Sequence, residues 1–182
     1  ALLLNPFSRF IFIDADLLFF KRPQEISNWI EKNENVNYFT AHPEQVFLDD
    51  HYSEFSLRKL LYKYFDLKMT AGFSSGLLLI SDKKIFNLSK INLLFKFYDS
   101  IAAIKFNCLE ESALSLIAAQ NKFTCLSIKK YATLCFWRQY QKILQNFSEI
   151  TLIHFGLETK EEFTSHGIKQ ALKNNFFKRN SV

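Results

Sequence analysis

The stretch Phe10-Ile11-Phe12-Ile13-Asp14-Ala15-Asp16 decides the fold class of this chain. Its first four residues form a continuous apolar, β-favouring run, which predicts a central strand covered on both faces. Two carboxylates follow, and residues i and i+2 of a strand point the same way, so they converge where the strand ends. The two carboxylates would repel each other and lose hydration at a buried strand end, so we expect a cation there. Hard oxygen ligands favour Mg²⁺ or Mn²⁺.

The alternative reading of Asp14 and Asp16 is a solvated turn or a helix cap, which is the commoner fate of an isolated Asp-x-Asp. The four apolar residues before the pair favour the ligand site, because surface turns rarely follow a fully buried strand so abruptly. Ligands of open α/β sheets bind at the carboxyl ends of strands, which is where this pair falls.

Outward from this stretch, apolar runs alternate with segments of helical spacing. Gly72 to Gly76 is expected to be a small-residue loop that leads into the next buried strand. Further strands are predicted at Val36–Thr40, Leu77–Ile80, Phe123–Ile128, Ala132–Trp137 and Ile150–Phe155. Helices are predicted at Ser27–Lys32, Ser53–Tyr64, within Ile85–Lys105, and from Asn107 to Asn121. The alternation predicts an α/β layer structure, with residues 1–182 as one domain and about 157–182 as a basic C-terminal tail or helix.

The composition and charge of the chain bear on its binding partners and say little about its activity. Apolar residues make up 48% of the 182 residues and charged residues 23%, which is a globular balance. The net charge of +5 favours an anionic partner, or simply keeps the protein soluble. Lys and Arg are dispersed until the C-terminal stretch, so we predict no nucleic-acid partner.

The cysteines and the two termini bear on location. Cys108, Cys125 and Cys135 are scattered and show no CxxC spacing, which favours a reducing, cytoplasmic compartment. Ala1 to Leu4 has no basic region, so we expect no signal peptide. The basic amphipathic stretch from Lys169 to Arg179 favours either peripheral contact with the inner face of an anionic membrane or an ordinary terminal helix.

Four segments, taken in order, resemble the GT-A glycosyltransferases of family eight, which include glycogenin-like and galactosyltransferase-like enzymes, or their close bacterial relatives. The segments are Asn5-Pro6-Phe7 with Phe12–Asp16 and Pro23, then Phe73–Ile80, Glu110–Leu114 and Ile153–Gly156. The resemblance implies a GT-A-like mixed sheet flanked by helices. It also implies metal-dependent transfer of a sugar from a nucleotide sugar, a UDP-sugar above all, to a glycan or lipid-linked glycan acceptor.

The resemblance also assigns roles to residues of this sequence. It implies that Asp14, Asp16 and His154 bind Mn²⁺ or Mg²⁺, which holds the diphosphate. It implies a catalytic, sugar-facing role for Glu110 and Glu111. Substrate contacts fall on Ser74, Ser75, Gly76, Gly156 and Asp14.

Each of these residues has a structural alternative. His154 can be a core histidine bonded to the backbone, and Glu110 can cap the helix that begins near Asn107. Ser74 and Ser75 can permit a tight turn, and Gly76 can allow a close backbone approach. The other histidines, His42, His51 and His166, lie in polar, loop-like contexts and are given no role.

The sequence also departs from the family pattern. Ser74 replaces the usual Asn, Glu110-Glu111 replaces Asp-Gln, and no Lys-Pro-Trp follows Gly156, so Lys160 is a phosphate-binding candidate only by proximity. Only 13 residues precede Asp14, where the family has nucleotide-binding βαβ units, and there is no initiator Met. We therefore expect a fold that is incomplete at its N-terminus, and weak or no transferase activity from this chain alone.

Two other functions stay open. A non-catalytic remnant would bind carbohydrate or a fellow subunit. A different Mg²⁺-dependent phosphotransfer enzyme would use the same carboxylates, although the sequence lacks a Gly-rich loop to cradle phosphates.

Overall fold

The structure is a computed structural model that describes residues 5–41, 63, 65–66, 73–87, 89, 92, 96, 109–134, 143, 147–156 and 159–173, without the side chains of residues 109–112. The strands are β1 (Phe10–Ile13), β2 (Leu17–Phe19), β3 (Tyr38–Ala41), β4 (Phe73–Ile80), β5 (Thr124–Cys125), β6 (Tyr131–Leu134) and β7 (Leu152–Phe155). The helices are α1 (Gln24–Glu31), α2 (Leu109–Gln120), α3 (Lys160–Glu162) and α4 (Ile168–Lys173), with a π-helical turn (Phe163–Gly167) joining the last two. Short 3₁₀ turns lie at Lys83–Ile85 and Phe147–Glu149.

The seven strands form one mixed sheet in the order β1-β4-β3-β6-β7-β2, and β5 pairs with β3. Strands β3, β6 and β7 run parallel, whereas β4 is antiparallel to β1 and β3, and β2 is antiparallel to β7. The carboxyl ends of β1, β3, β6 and β7 therefore meet at one edge of the sheet. The predicted α/β mixed sheet with flanking helices is confirmed.

Helices cover both faces of this sheet. On one side, which we call the α1 face, Ile26 and Trp29 of α1 pack with Leu77, Leu79, Tyr131 and Leu152. On the opposite side, the α2 face, Ile117 and Ala118 of α2 pack with residues of β3 and β4, and Ala171 of α4 packs with residues of β6 and β7. Among the described residues no helix is long and apolar enough to cross a membrane.

Arg9 joins the start of β1 to the end of α1. Its guanidinium lies 3.6 Å from the centre of the Trp29 ring and donates to the carbonyl oxygens of Trp29 and Glu34. A cation over an aromatic face is favourable, and cationic donors suit the carbonyls left free at a helix C-terminus. Asn33 follows the helix with a φ of 51°, the left-handed conformation that commonly ends a helix.

The sheet must curve strongly, because Asp14-Ala15-Asp16 alone connects its two end strands. In a flat sheet the five spacings from β1 to β2 would separate these strands by about 24 Å. The four residue steps from Ile13 to Leu17 reach at most about 14 Å. The curvature brings β4 close to β7 at the edge where the connection crosses.

An irregularity in β4 allows this approach. The pairing of β3 with β4 jumps from Phe39↔Leu78 to Thr40↔Ser74, so the three residues from Ser75 to Leu77 have no partner on β3. Such a bulge bends a strand and redirects its side chains. Leu77 pairs with Ile13 of β1 instead.

Several sequence predictions need correction here. Strand β1 is not central: it lies at one end of the order of described strands, and Ile13 is 49% exposed. The predicted loop is wrong, because Phe73 to Gly76 belong to β4. Asp14 and Asp16 lie in the turn after β1 rather than on the strand, so their convergence comes from the turn. Strand β2 was not expected from the sequence.

The remaining elements lie near their predicted positions. Helix α1 begins three residues before Ser27, α2 lies within the predicted Asn107–Asn121, and β3, β6 and β7 overlap their predicted runs. The predicted strand from Phe123 to Ile128 is reduced to β5. The predicted helix at Ser53–Tyr64 and most of Ile85–Lys105 lie outside the described residues.

Candidate metal centre

Three predicted ligands meet at the edge where the parallel strands end. Asp14 and Asp16 stand in the turn between β1 and β2, and His154 stands on β7, which pairs with β2 in the register Leu17↔His154. One ligand atom from each of the three residues lies within 4.8 Å of the others. The sheet therefore brings together groups that are about 140 residues apart in the sequence.

The distances fit one divalent cation. His154 Nε2 lies 3.0 Å from Asp16 Oδ1 and 3.7 Å from Asp14 Oδ2. An octahedral ion bound at about 2.1 Å keeps neighbouring ligand atoms about 3.0 Å apart. The two carboxylates suit either Mg²⁺ or Mn²⁺, and the additional imidazole ligand suits Mn²⁺.

The site combines two carboxylates, one imidazole and one lysine, and it opens to solvent. The Asp14 and Asp16 side chains are 34% and 26% exposed, whereas His154 is 12% exposed. Lys160 Nζ lies 3.6 Å from Asp16 Oδ2 on an exposed side chain. The turn, Lys160 and Phe163 line a cleft of about 530 Å³, which leaves room for a ligand beside the carboxylates.

Backbone hydrogen bonds hold the turn at both ends. The Asp14 N–H donates to the Gly76 carbonyl at 2.9 Å, and the Phe155 N–H donates to the Asp16 carbonyl at 3.0 Å. The bulged part of β4 thus fixes Asp14, and β7 fixes Asp16. Because each carboxylate lies next to a backbone bond, the turn has little freedom to separate the pair.

His154 belongs to a row of polar side chains across the α1 face. Ser74 Oγ lies 3.3 Å from His154 Nδ1, and the pairings Thr40↔Ser74 and Thr133↔His154 put both threonines on this face. The hydroxyls of Thr40 and Thr133 are fully buried and bond no group in the described part of the chain. On β6 and β7 this row lies two residues closer to the carboxyl ends of the strands than the apolar cluster that α1 covers.

The other predicted site residues lie as follows. Ser75 is half-buried in the bulge. Gly156 follows β7, where its N–H donates to the Leu134 carbonyl and its own carbonyl accepts from Thr159. The backbones of Glu110 and Glu111 form the first turn of α2, and their side chains lie outside the description. Roles in substrate binding and catalysis stay predictions for these residues.

The structure adds one residue to the predicted site and gives a second one a different contact. Phe163, on the π-helical turn, lines the cleft beside the carboxylates. Ser74 contacts His154 directly, whereas the sequence suggested a substrate contact. His166 is exposed in the π-helical turn, and His42 and His51 lie outside the described residues.

Comparison with solved structures finds the apo crystal structure of mouse xyloside xylosyltransferase 1, with a TM-score of 0.50 and 15% sequence identity. The similarity covers 84% of this chain and 59% of that chain, so this chain spans about three fifths of its neighbour's length. Comparison of the sequence with protein-family models and with curated proteins finds no match. The structural similarity shows a glycosyltransferase-type fold for this chain, and the family-eight assignment stays a prediction.

Proposed function

We propose that this chain binds a divalent cation through Asp14, Asp16 and His154, and through it the diphosphate of a nucleotide sugar. The sugar is then transferred to a glycan or lipid-linked glycan acceptor. One observation carries the proposal: two carboxylates and an imidazole converge at the ligand-binding edge of a glycosyltransferase-type sheet. A UDP-sugar with Mn²⁺ is the pair that the family resemblance favours.

The chain's own residues suit the task of holding a diphosphate. When bound, the cation neutralises the charge that develops on the leaving diphosphate. The carboxylates of Asp14 and Asp16 supply oxygen ligands, and neutral imidazole supplies nitrogen from His154 Nε2. The partial exposure of both carboxylates leaves the rest of the coordination sphere to phosphate oxygens and water.

The cleft adds a second cationic group for the phosphates. Lys160 is exposed and reaches to 3.6 Å from Asp16, so its ammonium can turn to a phosphate oxygen that approaches the cation. Phe163 gives the cleft an apolar wall. We assign the sugar-facing role to Glu110 and Glu111, with Ser75 and Gly156 as further substrate contacts. A cytoplasmic location, at the inner membrane face when the acceptor is lipid-linked, completes the proposal.

A binding measurement tests the proposal directly. Calorimetric titration of UDP in the presence of Mn²⁺ is carried out on the wild type, Asp14→Ala and Asp16→Ala, with Glu25→Gln as a control outside the site. We expect the two aspartate variants to lose about 100-fold or more in affinity, because loss of an outer-shell partner already costs 10–100-fold. The control should bind like the wild type. Equal affinity in all four proteins would contradict the proposal.

A second set of titrations separates nucleotide binding from the alternative function. A folded chain with no affinity for UDP, with or without Mn²⁺, would favour the alternative of a carbohydrate-binding or subunit-binding module. Repeating the titration with GDP tests the choice of base. Lys160→Ala should weaken UDP binding but leave Mn²⁺ binding alone intact, because Lys160 is not among the three ligands.

A further inference from the structure

The imidazole of His154 lies where a side chain at position 76 would be. A Cβ built on Gly76 would lie 2.3 Å from His154 Nδ1 and 2.5 Å from Cε1, closer than real Cβ contacts allow. Glycine is therefore required here by the approach of the ring. The bulge that releases residues 75–77 from β3 brings this glycine under the imidazole.

Ser74 holds the same ring from its Nδ1 side. Its hydroxyl oxygen lies 3.3 Å from Nδ1 and accepts a hydrogen bond from the Gly76 N–H at 3.4 Å. A hydroxyl offers one donor and two acceptor positions, so Ser74 can bond Nδ1 whether that nitrogen carries a proton or not. Ser74 is fully buried, which suits a contact made inside the protein.

The bulged segment also fixes the other side of the site. The Gly76 carbonyl accepts from the Asp14 N–H, while the glycine's missing side chain makes room for His154. One short piece of β4 therefore sets the position of a carboxylate and an imidazole together. Outer groups of this kind fix the orientation of metal-binding histidines.

We propose that Ser74 and Gly76 are positioning residues that orient His154, so that Nε2 faces Asp14 and Asp16. They act through the imidazole rather than by touching the sugar. This inference rests on the proposed function, because it gives His154 the role of a cation ligand. Ser74 stands where the family that this sequence resembles has Asn. The contact of Ser74 with His154 supports its positioning role.

The experiment measures Mn²⁺ affinity, without nucleotide, for the wild type, Ser74→Ala and Gly76→Ala. Thr133→Val is the matched control: Thr133 is equally buried in the same polar row and is the register partner of His154. We expect Ser74→Ala to lose about 10–100-fold in affinity. Gly76→Ala should lose at least as much, because the added methyl displaces the ring. Thr133→Val should bind Mn²⁺ like the wild type.

A second measurement needs no metal. The ¹⁵N shift of His154 Nδ1 reports the hydrogen bond made at that nitrogen, so Ser74→Ala should change this shift while Thr133→Val leaves it unchanged. If Gly76→Ala fails to fold, Ser74→Ala decides the matter. A Ser74→Ala protein that keeps its Mn²⁺ affinity and its ring shifts overturns the inference, and loss of UDP-sugar binding alone would then assign Ser74 to the sugar.

Failure of the inference differs from failure of the proposed function. If Asp14→Ala abolishes Mn²⁺ binding while Ser74→Ala preserves it, the metal centre stands and the positioning role is wrong. If Asp14→Ala leaves Mn²⁺ affinity unchanged, the metal centre itself is wrong.

Discussion

Two clusters of charged side chains lie on the same sheet, one where β6 begins and one at the edge where β6 ends. At the first, the single carboxylate of Glu25 accepts from Lys130 Nζ at 2.6 Å and from the Tyr131 hydroxyl at 2.7 Å. At the second, the carboxylates of Asp14 and Asp16 both lie near the imidazole of His154. Lys160 Nζ lies 3.6 Å from Asp16 Oδ2. In the first cluster one carboxylate is closed by two short hydrogen bonds, whereas the second places two carboxylates and an imidazole beside an open cleft.

The difference indicates which cluster serves the fold and which serves a ligand. Glu25 joins α1 to the start of β6, and its partner Tyr131 is fully buried. Burial alone would raise the pKa of Glu25, but the hydrogen bonds from Lys130 and Tyr131 and the charge of Lys130 outweigh it and lower that pKa. Burial, followed by the contact with Glu25, raises the pKa of Tyr131. These groups complete one another, so we expect no ligand there.

The largest expected effect is the stabilisation that a cation gives to the second cluster. Mn²⁺ at a hundredfold excess over its dissociation constant should raise the free energy of unfolding by about 2.7 kcal/mol in the wild type. Asp14→Asn should gain little, and Glu25→Gln should keep the full gain. Denaturant unfolding with Mn²⁺ and with EDTA measures this. An equal gain in Asp14→Asn would remove the distinction between the clusters.

The sequence predicted the residues of the second cluster but not the contacts that hold His154 in place. Asp14, Asp16 and His154 were identified because an apolar run and a family resemblance single them out. The contact of Ser74 with His154 could not be predicted, because it depends on a three-residue bulge between strands that are distant in the sequence. Gly76 was suspected of a close backbone approach, but what approaches it is a side chain from β7.

The order of the strands in the sheet was also difficult to predict from the sequence. Helix α2 and strand β7 follow from local periodicity, and both lie near their predicted positions. Strand β2 has only three residues, too few for a periodic pattern, and it depends on pairing with β7. The end position of β1 depends on strand order, which the apolar run Phe10–Ile13 does not encode. The curvature of the sheet follows only once β1 and β2 are known to lie at its two ends.

A smaller effect is expected when the first cluster is broken. Glu25→Gln should lower the free energy of unfolding by about 1 kcal/mol at neutral pH, because the Glu25 side chain is partly exposed and solvent screens its charge. Glu31→Gln is the matched control on the same helix, since its ion pair with Arg22 is long and largely exposed. That control should change stability by less than about 0.5 kcal/mol.

The same variant has a pH dependence with a definite sign. The folded pKa of Glu25 lies below its usual value of 4.5, so the contribution of Glu25 to stability is present above that pH and is lost as the pH falls through the folded pKa. The stability difference between the wild type and Glu25→Gln should therefore shrink on acidification from pH 6 to pH 3. Urea unfolding at each pH measures it, and a constant difference would show that the charge of Glu25 contributes nothing.

The smallest effect is expected for Asp14→Asn in EDTA, and it sharpens the comparison most. Asp14 Oδ2 lies 3.7 Å from His154 Nε2 and close to the carboxylate of Asp16, and one third of its side chain is exposed. Solvent screens the charge of a carboxylate that is this exposed, so without a cation the free energy of unfolding should change by less than about 0.5 kcal/mol. A loss as large as that of Glu25→Gln would make Asp14 a structural carboxylate as well. A near-zero change in EDTA, together with the lost stabilisation by Mn²⁺, would mean that Asp14 contributes its charge to the ligand rather than to the fold.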